Sequence, residues 1–303
     1  MLDIFKIIDR NHFSLAKPIA YERKWITSSK GAQSVLVDDS LFTSSKNDAW
    51  SSELESFHEK PVENGWIEKY ERNLVKDIFT KLNLNSEKVI LEFGSSFGYM
   101  IHLLKKVFPK NSYVSTDLFI EGLKESHKKG PEIMHIQCDI TDAPFKDSSF
   151  DFIYSLSVLE HIEDDRKAMA ECRRLLKDDG YCLFVVPRGQ HLYDFFDGIL
   201  HHKRRYSQGE LKQKCLEAGF EVVYNTHFAW LCYPAFFLKK KMNILKGRKM
   251  SQEEKLRVFE KETANVMASS LGDFVMKIEK QLSRLFNPAF GVRELIVVKK
   301  TNK

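Results

Sequence analysis

The sequence predicts an α/β fold built on a doubly wound, mostly parallel sheet. The apolar run at residues 89–93 leads into a turn of small residues, and an amphipathic stretch follows over residues 99–108. That is the order of a buried parallel strand, a tight loop and a helix. Further apolar runs at residues 113–116, 133–137 and 150–155 follow, and acids close the first two of them. This alternation predicts crossover units of strand, helix and strand.

The turn after the first strand contains Gly94 and Gly98, and the acid Glu92 precedes it. Glycines let a backbone approach a ligand closely, and the first N–H groups of a helix favour a bound carboxylate or phosphate. The loop therefore predicts a site for a nucleotide-like cofactor. The dinucleotide pattern G-x-G-x-x-G is not met, and a P-loop is excluded because no Gly-Lys-Ser/Thr ending occurs. S-adenosylmethionine (SAM), NAD and a structural turn remain open for this loop alone.

The spacing acid-x-Gly-x-x-x-Gly resembles motif I of the class I SAM-dependent methyltransferases, many of which have glycine where Ser96 stands. Asp117 closes the second strand at about the spacing from which an acid reaches ribose hydroxyls, and a carboxylate can accept two hydrogen bonds from a vicinal diol. In the resembling family, an acid after the third strand takes the adenine amino group, and the next apolar residue packs on the ring. Those positions are Asp139 and Ile140.

The resemblance is closest after the fourth strand. The segment Val-Leu-Glu-His-Ile at residues 158–162 and the string at residues 205–223 are similar to the type 11 methyltransferases, a broad group that includes quinone-biosynthesis enzymes. The resemblance implies a Rossmann-like, seven-stranded sheet whose last strand runs antiparallel. The residues expected around the cofactor are Glu92, Phe93, Gly94, Ser95, Gly98, Asp117, Leu118, Asp139, Ile140 and Ser155.

Two histidines are candidates for chemistry on the methyl acceptor. His161 follows the fourth strand and His202 follows the fifth, and ligands bind at the carboxyl ends of parallel strands. A histidine titrates near physiological pH and can serve as a base. The alternative is that His161 only orients its loop and that His202 is exposed. In some quinone-forming relatives a Glu-x-x-Glu-His set holds a metal, but Ser157 replaces its first acid here, so no metal is predicted.

Composition restricts the class of protein. The chain is 43% hydrophobic and 29% charged, which suits a folded domain with a real core. A net charge of +5 does not indicate a nucleic-acid partner, which needs a focused basic face. The five cysteines are scattered without a C-x-x-C pair, so we expect neither a zinc site nor disulfides. A cytoplasmic location is expected for the same reason. Neither a signal peptide nor a membrane-spanning stretch is recognisable.

The chain divides into two predicted parts. Residues 1–65 are interpreted as an N-terminal extension that is partly helical and packs on or over the core. Residues 66–303 form the SAM-binding methyltransferase domain. An amphipathic helix is predicted over residues 66–82, because large apolar residues recur there at four-residue steps. In the family such a helix helps to cover the cofactor. A helical insertion is predicted at about residues 229–288, between the last two strands.

The insertion is the part most suited to select a substrate. Residues 228–238 are densely apolar, and lysines and arginines follow up to residue 249. An apolar face beside lysines can lie on an anionic membrane or bind a lipid-linked substrate, so residues 228–249 are a candidate for peripheral membrane contact. The alternative is a helix packed on the core with a solvated basic end. A later helix over residues 251–286 has the spacing of core packing or of a homodimer face.

Three functions remain open from the sequence. Methyltransferases of DNA bases usually show Asn/Asp-Pro-Pro-Tyr/Phe or Pro-Cys, and neither pattern occurs. The first hypothesis is SAM-dependent methyl transfer to an O or N atom of a small-molecule or glycan-like acceptor. The second is the same chemistry on a lipid or polyprenyl-linked substrate at the membrane surface. The third is a non-catalytic scaffold or partner subunit with the same fold.

Overall fold

The structure is a computed structural model that describes residues 65–265 and 270–301, together with Ile7 and Leu36–Val37. The predicted N-terminal extension therefore lies almost wholly outside the described residues. Within those residues, no helix is both long enough and apolar enough to cross a membrane.

One mixed sheet forms the centre of the molecule. Its spatial order in the described residues is β1-β4-β3-β2-β5-β6-β8-β7. Pairing is parallel from β1 to β6, whereas β8 runs antiparallel to both β6 and β7. The strands are β1 (Leu36–Val37), β2 (Val89–Phe93), β3 (Ser112–Asp117), β4 (Met134–Gln137), β5 (Phe150–Leu156), β6 (Leu176–Pro187), β7 (Phe220–Phe228) and β8 (Arg293–Lys300).

The predicted fold class is confirmed. All seven predicted strands are present, and the last one in the sequence is antiparallel. The two-residue strand β1 is an addition that pairs with β4 at the sheet edge. β2 lies between β3 and β5, so the strand order changes direction beside it. Ligands of open α/β sheets bind in the crevice at such a switch point.

Helices cover the sheet and form the insertion. The insertion consists of α7 to α9, which lie between β7 and β8 in the chain. The helices are α1 (Trp66–Lys81), α2 (Tyr99–Val107), α3 (Ile120–Lys129), α4 (Asp165–Leu175), α5 (Phe195–Ile199), α6 (Glu210–Glu217), α7 (Tyr233–Gly247), α8 (Gln252–Asn265) and α9 (Ser270–Leu282).

Buried side chains alternate between the two faces of the sheet. In β5, Phe152 and Tyr154 join the apolar cluster on one face, whereas Ile153 joins the cluster on the other. Successive side chains of a strand point to opposite faces, so a strand that is buried on both sides needs apolar residues at every position. This explains the continuous apolar runs over residues 152–154 of β5 and over residues 181–187 of β6.

Two elements differ from their predicted bounds. β6 begins at Leu176 rather than at residue 181, because Leu176 pairs with Phe150 before the register shifts and Tyr181 pairs with Phe152. The single helix predicted over residues 251–286 corresponds to two described helices, α8 and α9. Leu285 and Phe286, at the end of that predicted helix, lie beyond α9 and are 81% and 48% exposed.

Candidate cofactor and acceptor site

A large crevice opens at the carboxyl ends of β2 to β5. Its volume is about 1940 Å³, whereas single-ligand sites typically measure about 300–1,000 Å³. The glycine-containing loop and Asp117 line one part of it, and the turns after β5 and β6 line another. Helices α1, α7, α8 and α9 also contribute to the walls. The crevice therefore has room for a cofactor and a second ligand.

The two predicted glycines are required by backbone conformation and packing. Gly94 has φ +74°, and a Cβ there would lie 2.1 Å from a methyl group of Val158. Gly98 has φ +75°, and a Cβ there would lie 2.1 Å from Ser126 Oγ. A positive φ favours glycine because it has no Cβ. The loop therefore needs glycine for its own geometry, a different reason from the ligand contact that the sequence suggested.

Ser96, at a position where the resembling family often has glycine, adopts a backbone conformation that favours glycine. Its φ is +47°, in the left-handed region that L-residues rarely occupy. Its backbone N–H donates to Asp117 Oδ2 at 2.7 Å, which stabilises the turn. The departure from the motif thus keeps the loop shape at the expense of backbone strain.

Asp117 holds the loop and lines the crevice. Its second oxygen, Oδ1, accepts the Phe119 N–H at 2.8 Å. Burial raises the pKa of this carboxyl, although the hydrogen bonds from Phe119 and Ser96 lower it in part. Each carboxylate oxygen can accept a second hydrogen bond. Asp117 is therefore oriented by the backbone and retains acceptors for a diol in the crevice.

Two other polar side chains lining the crevice have buried oxygens without partners. Glu92 Oε2 and Gln137 Oε1 have no hydrogen-bond partner among the described residues, and both side chains line the crevice. Burial raises the pKa of Glu92 well above its usual range, and Tyr154 beside it lowers the pKa in part. Buried polar atoms without partners are uncommon in folded proteins. A ligand with donor groups, such as the ammonium and adenine amino groups of SAM, fits these acceptors.

The structure brings most of the predicted cofactor residues together. Phe93, Ser95, Leu118, Asp139 and Ile140 line the crevice along with Glu92, Gly94 and Asp117. Gly98 and Ser155 do not line it, since Gly98 faces α3 and Ser155 is buried in β5. Direct cofactor contact by any of these residues stays a prediction.

The predicted acceptor residues also converge. Glu160 and His161 lie in the turn after β5, and His202 follows α5. The rings of His161 and His202 lie 4.7 Å apart and nearly perpendicular. Glu160 is 1% exposed, and burial raises its pKa to about 8. Both histidines and this acid line the crevice, so the exposed position considered for His202 is not observed.

His202 is oriented by a carboxylate that the sequence analysis missed. Its Nδ1 lies 2.9 Å from Asp197 Oδ1. Asp197 also accepts hydrogen bonds from Arg205 at 2.7 Å and from Lys240 at 2.8 Å. Burial would raise the pKa of Asp197, but the bonds to His202, Arg205 and Lys240 outweigh it and lower the pKa. Asp197 is thus ionised, and His202 donates its Nδ1–H to it.

The same network joins the insertion to the site. Lys240 of α7 donates to Asp194 at 2.7 Å as well as to Asp197, and Asn243 donates to Asp194 at 2.9 Å. Lys240 is 7% exposed, so the basic stretch of the insertion is not entirely a solvated end. A charged side chain is buried in this way only when it is paired. For the hydrogen bond between His202 and Asp197, the sequence offers one local signal, which is the five-residue spacing of the two.

The comparisons with known proteins point to methyltransferases. A family model described as "Methyltransferase domain" matches residues 91–184. An uncharacterized protein of Methanocaldococcus jannaschii is 29% identical over 164 residues, 53% of this chain and 66% of that protein. A "Probable S-adenosylmethionine-dependent methyltransferase" of Mycobacterium tuberculosis is 24% identical over 133 residues, 43% of this chain and 48% of the other. Residues 91–184 therefore match the methyltransferase-domain model, and SAM, the predicted cofactor, is confirmed.

Further comparisons extend the range of relatives. A demethylmenaquinone methyltransferase of Thermotoga maritima is 32% identical over 99 residues, which cover 33% of this chain and 43% of that enzyme. The fold is shared with a candidate sarcosine dimethylglycine methyltransferase from Galdieria sulphuraria, at 16% identity and a TM-score of 0.51 over 75% of this chain and 84% of the other. The [4+2]-cyclase SpnF also shares it, at 13% identity and a TM-score of 0.51 over 77% and 81%. The chain spans between about half and two thirds of the length of the first two relatives.

Proposed function

We propose that this protein transfers a methyl group from SAM to an O or N atom of a small-molecule or glycan-like acceptor. The observation that carries the proposal is the arrangement of one crevice. Glu92, Asp117 and the Gly94 loop lie at one part of it, and Glu160, His161 and His202 lie at another. A cofactor and an acceptor can therefore meet in the same enclosed space.

Orientation supplies much of the rate in such a site. SAM carries its methyl group on a sulfonium, which is already a good leaving group. The chain's own residues then have to fix the two ligands relative to each other, which contributes on the order of 7–11 kcal/mol in favourable intramolecular reactions. Asp117 is suited to this task because two backbone N–H groups hold its carboxylate.

His161 and His202 are the residues that we propose activate the acceptor atom. Asp197 fixes the ring of His202 through Nδ1, so Nε2 is the nitrogen that carries a lone pair. Burial lowers the pKa of His202, against the opposing influence of Asp197. The imidazole is therefore neutral at physiological pH and can accept a proton or another electrophile. Proton transfer from a positioned group typically contributes about 10²–10⁴-fold to a rate.

Calorimetry with SAM and with its demethylated product tests the cofactor half of the proposal. We expect both to bind with one site per chain, and labelled SAM should then transfer its label to a component of cell extracts. Binding of neither ligand would contradict the proposal. Binding without transfer to any extract component would instead favour the non-catalytic hypothesis. A shared fold does not fix the reaction, and the cyclase named above illustrates this.

A lipid or polyprenyl-linked acceptor is the second candidate. α7 lines the crevice with Ala235 and Phe236, and on its outer side Leu238 and Leu245 are 61% and 63% exposed. Lys246, Arg248 and Lys249 are exposed nearby. An exposed apolar face beside basic residues is typical of helices that bind anionic membranes. One relative is named as a demethylmenaquinone methyltransferase, and a quinone is an acceptor of this kind. Membership of the quinone-biosynthesis group would therefore accompany this second candidate.

Vesicle sedimentation separates the two candidates. We expect the second one to give binding to vesicles with anionic lipids that the paired substitution Leu238→Glu and Leu245→Glu abolishes. Leu216→Glu is the matched control, because Leu216 is also an exposed leucine, at 45%, but lies on α6. If the unaltered protein does not sediment with anionic vesicles, the membrane candidate is wrong and the first proposal is unaffected.

A further inference from the structure

Three metal-ligating side chains meet in the acceptor part of the crevice. One ligand atom each from Glu160, His161 and His202 lies within 4.8 Å of the other two. Glu160 and His161 are sequence neighbours, whereas His202 comes from the loop after β6. A hydrogen bond from the Lys203 N–H to the Glu160 carbonyl, at 2.7 Å, fixes that loop to the turn after β5. The turn after β5 and the loop after β6 therefore hold the three side chains of the cluster in place together.

Asp197 gives His202 the orientation that metal-binding histidines commonly have. Such a histidine usually donates its other ring N–H to a carboxylate, which fixes the tautomer and the ring. His202 Nδ1 donates to Asp197 at 2.9 Å, and two cations hold Asp197 in turn. The remaining nitrogen, Nε2, is the donor atom that His202 offers to the cluster.

Glu160 is a buried carboxyl that faces the cluster without a cation of its own. Its Oε2 has no hydrogen-bond partner, and no Lys, Arg or His nitrogen of the described chain lies within salt-bridge distance of it. The nearby cations are each paired elsewhere: Arg293 with Glu68 and Glu71, and Arg205 with Asp197. A buried carboxylate without a positive partner is costly. Glu160 can ionise there only if a cation pairs with it, and a metal ion between Glu160 and the two imidazoles would be such a cation.

We propose that Glu160, His161 and His202 bind a divalent transition-metal ion at the acceptor end of the crevice. Two imidazoles and one carboxylate suit zinc and its first-row neighbours rather than magnesium or calcium, which prefer oxygen ligands alone. Metal–ligand distances of about 2.0–2.2 Å require the three atoms to draw together by about an ångström. His202 is the third ligand, and only the folded chain brings it to Glu160 and His161. This revises the expectation that the chain has no metal site.

The inference rests on the proposed function and deepens it: the two histidines then act on the acceptor through the metal and not as proton acceptors, because the lone pair of each ring is bound to the ion. A Lewis acid beside the acceptor would polarise its hydroxyl or amine and make that group easier to deprotonate. The acceptor lone pair forms the new bond to the methyl carbon, the carbon–sulfur bond breaks with its electron pair on sulfur, and the acceptor proton leaves to solvent. The metal is neither oxidised nor reduced in this step. The acceptor class it favours is a hydroxyl or amine that can ligate a metal.

The test is metal binding by the full chain after treatment with EDTA, followed by dialysis. Calorimetry with Zn²⁺ and visible absorption with Co²⁺ are expected to show one ion per chain. Glu160→Gln and His202→Gln are each expected to weaken binding by more than about 100-fold, since loss of an outer partner alone typically costs about 10–100-fold. Mg²⁺ is expected not to compete.

Two control variants remove metal-ligating atoms outside the cluster. His191→Gln removes an exposed histidine of the same loop, and Cys232→Ser removes a thiol that lines the crevice. Both are expected to keep the affinity of the unaltered protein. SAM binding is measured on every variant, because retained affinity shows that the crevice is folded.

The outcomes separate the two proposals. If neither Zn²⁺ nor Co²⁺ binds stoichiometrically while SAM binds, the metal site is wrong and the proposed function stands. The same holds if binding persists in Glu160→Gln and His202→Gln but is lost in Cys232→Ser. If SAM does not bind, the proposed function fails, whatever the metal does.

Discussion

Asp117 is the side chain on which the cofactor site depends most directly. It accepts one backbone hydrogen bond from Ser96 of the glycine loop and one from Phe119 of its own turn, and it lines the crevice. We expect Asp117→Asn to raise the dissociation constant for SAM by about 10–100-fold, since hydrogen bonds to a charged group contribute about 1.5–3 kcal/mol. Titration calorimetry measures this change.

Asp151→Asn is the matched control for that substitution. Asp151 also accepts a backbone N–H, from Val89 at 2.9 Å, but it lies at the amino end of β5 and outside the crevice. We expect it to lower stability without changing SAM affinity. Equal losses of affinity in the two variants would mean that Asp117 acts only through the fold.

In the glycine loop, substitutions at residues 94 and 96 are predicted to change the free energy of unfolding in opposite directions. Gly94→Ala places a Cβ against Val158 at a positive φ, so we expect it to lower the free energy of unfolding by at least about 2 kcal/mol. Ser96→Gly removes the strain of a left-handed serine, so we expect it to be neutral or stabilising by up to about 1 kcal/mol. Urea unfolding measures both, and a destabilised Ser96→Gly would contradict this account of the loop.

At the scale of elements, α7 is fixed to the acceptor end of the crevice by a buried ion pair. Lys240 contacts Asp194, which caps the short helix α5, and Asp197, which lies within that helix. Breaking a buried pair from one side typically costs about 3–5 kcal/mol, because the other charge stays buried. We therefore expect Lys240→Ala to destabilise the protein by that amount in urea unfolding.

Lys239→Ala is the control on the same helix. Lys239 pairs with Glu262 of α8 at the surface, with nearly half of its side chain exposed, and exposed pairs contribute less than about 1 kcal/mol. If the two substitutions had equal effects, burial of Lys240 would not be what holds the insertion. Because His202 depends on Asp197, Lys240→Ala is also expected to lower activity more than Lys239→Ala.

At the scale of the whole molecule, stability should depend on pH through histidines behind the glycine loop. Ser126 Oγ lies 2.9 Å from both His102 and His135, and His127 packs edge-on against His135. Burial, together with the neighbouring His127 and His102, lowers the pKa of His135 to about 3. The unfolded chain therefore binds more protons between about pH 6.5 and pH 3, so this contribution is present above pH 6.5 and is lost as the pH falls.

The effect of His135 is isolated by comparing how the free energy of unfolding changes with pH in the unaltered protein and in His135→Gln. Glu160, with its pKa raised to about 8, contributes in the opposite direction, because the folded state then binds the extra proton. We expect the unaltered protein to lose about 1–2 kcal/mol more than His135→Gln between pH 7 and pH 5. His191→Gln, at an exposed histidine, should keep the slope of the unaltered protein, and identical slopes in all three would contradict the prediction.

The predictable part of the site is the part that is local in sequence. Gly94, Asp117 and Asp139 each follow a recognisable strand, and the carboxyl ends of parallel strands meet at one edge. Ser155 also ends a recognisable strand, but it is buried and does not line the crevice, and the side of a strand on which a residue lies depends on register. Gln137 was overlooked, since nothing in its neighbours distinguishes a buried glutamine at a strand end from an exposed one.

The sequence by itself determined the sheet, its glycine loop and the acids that close its strands, because apolar periodicity and backbone preferences are properties of contiguous residues. The tertiary structure alone decided that His202 joins Glu160 and His161, and that Lys240 is buried against Asp194 and Asp197. These residues come from separate segments. Whether such charged and polar groups meet depends on how the loop after β6 and the insertion pack, since burial is tolerated only where a partner of opposite charge is already in place.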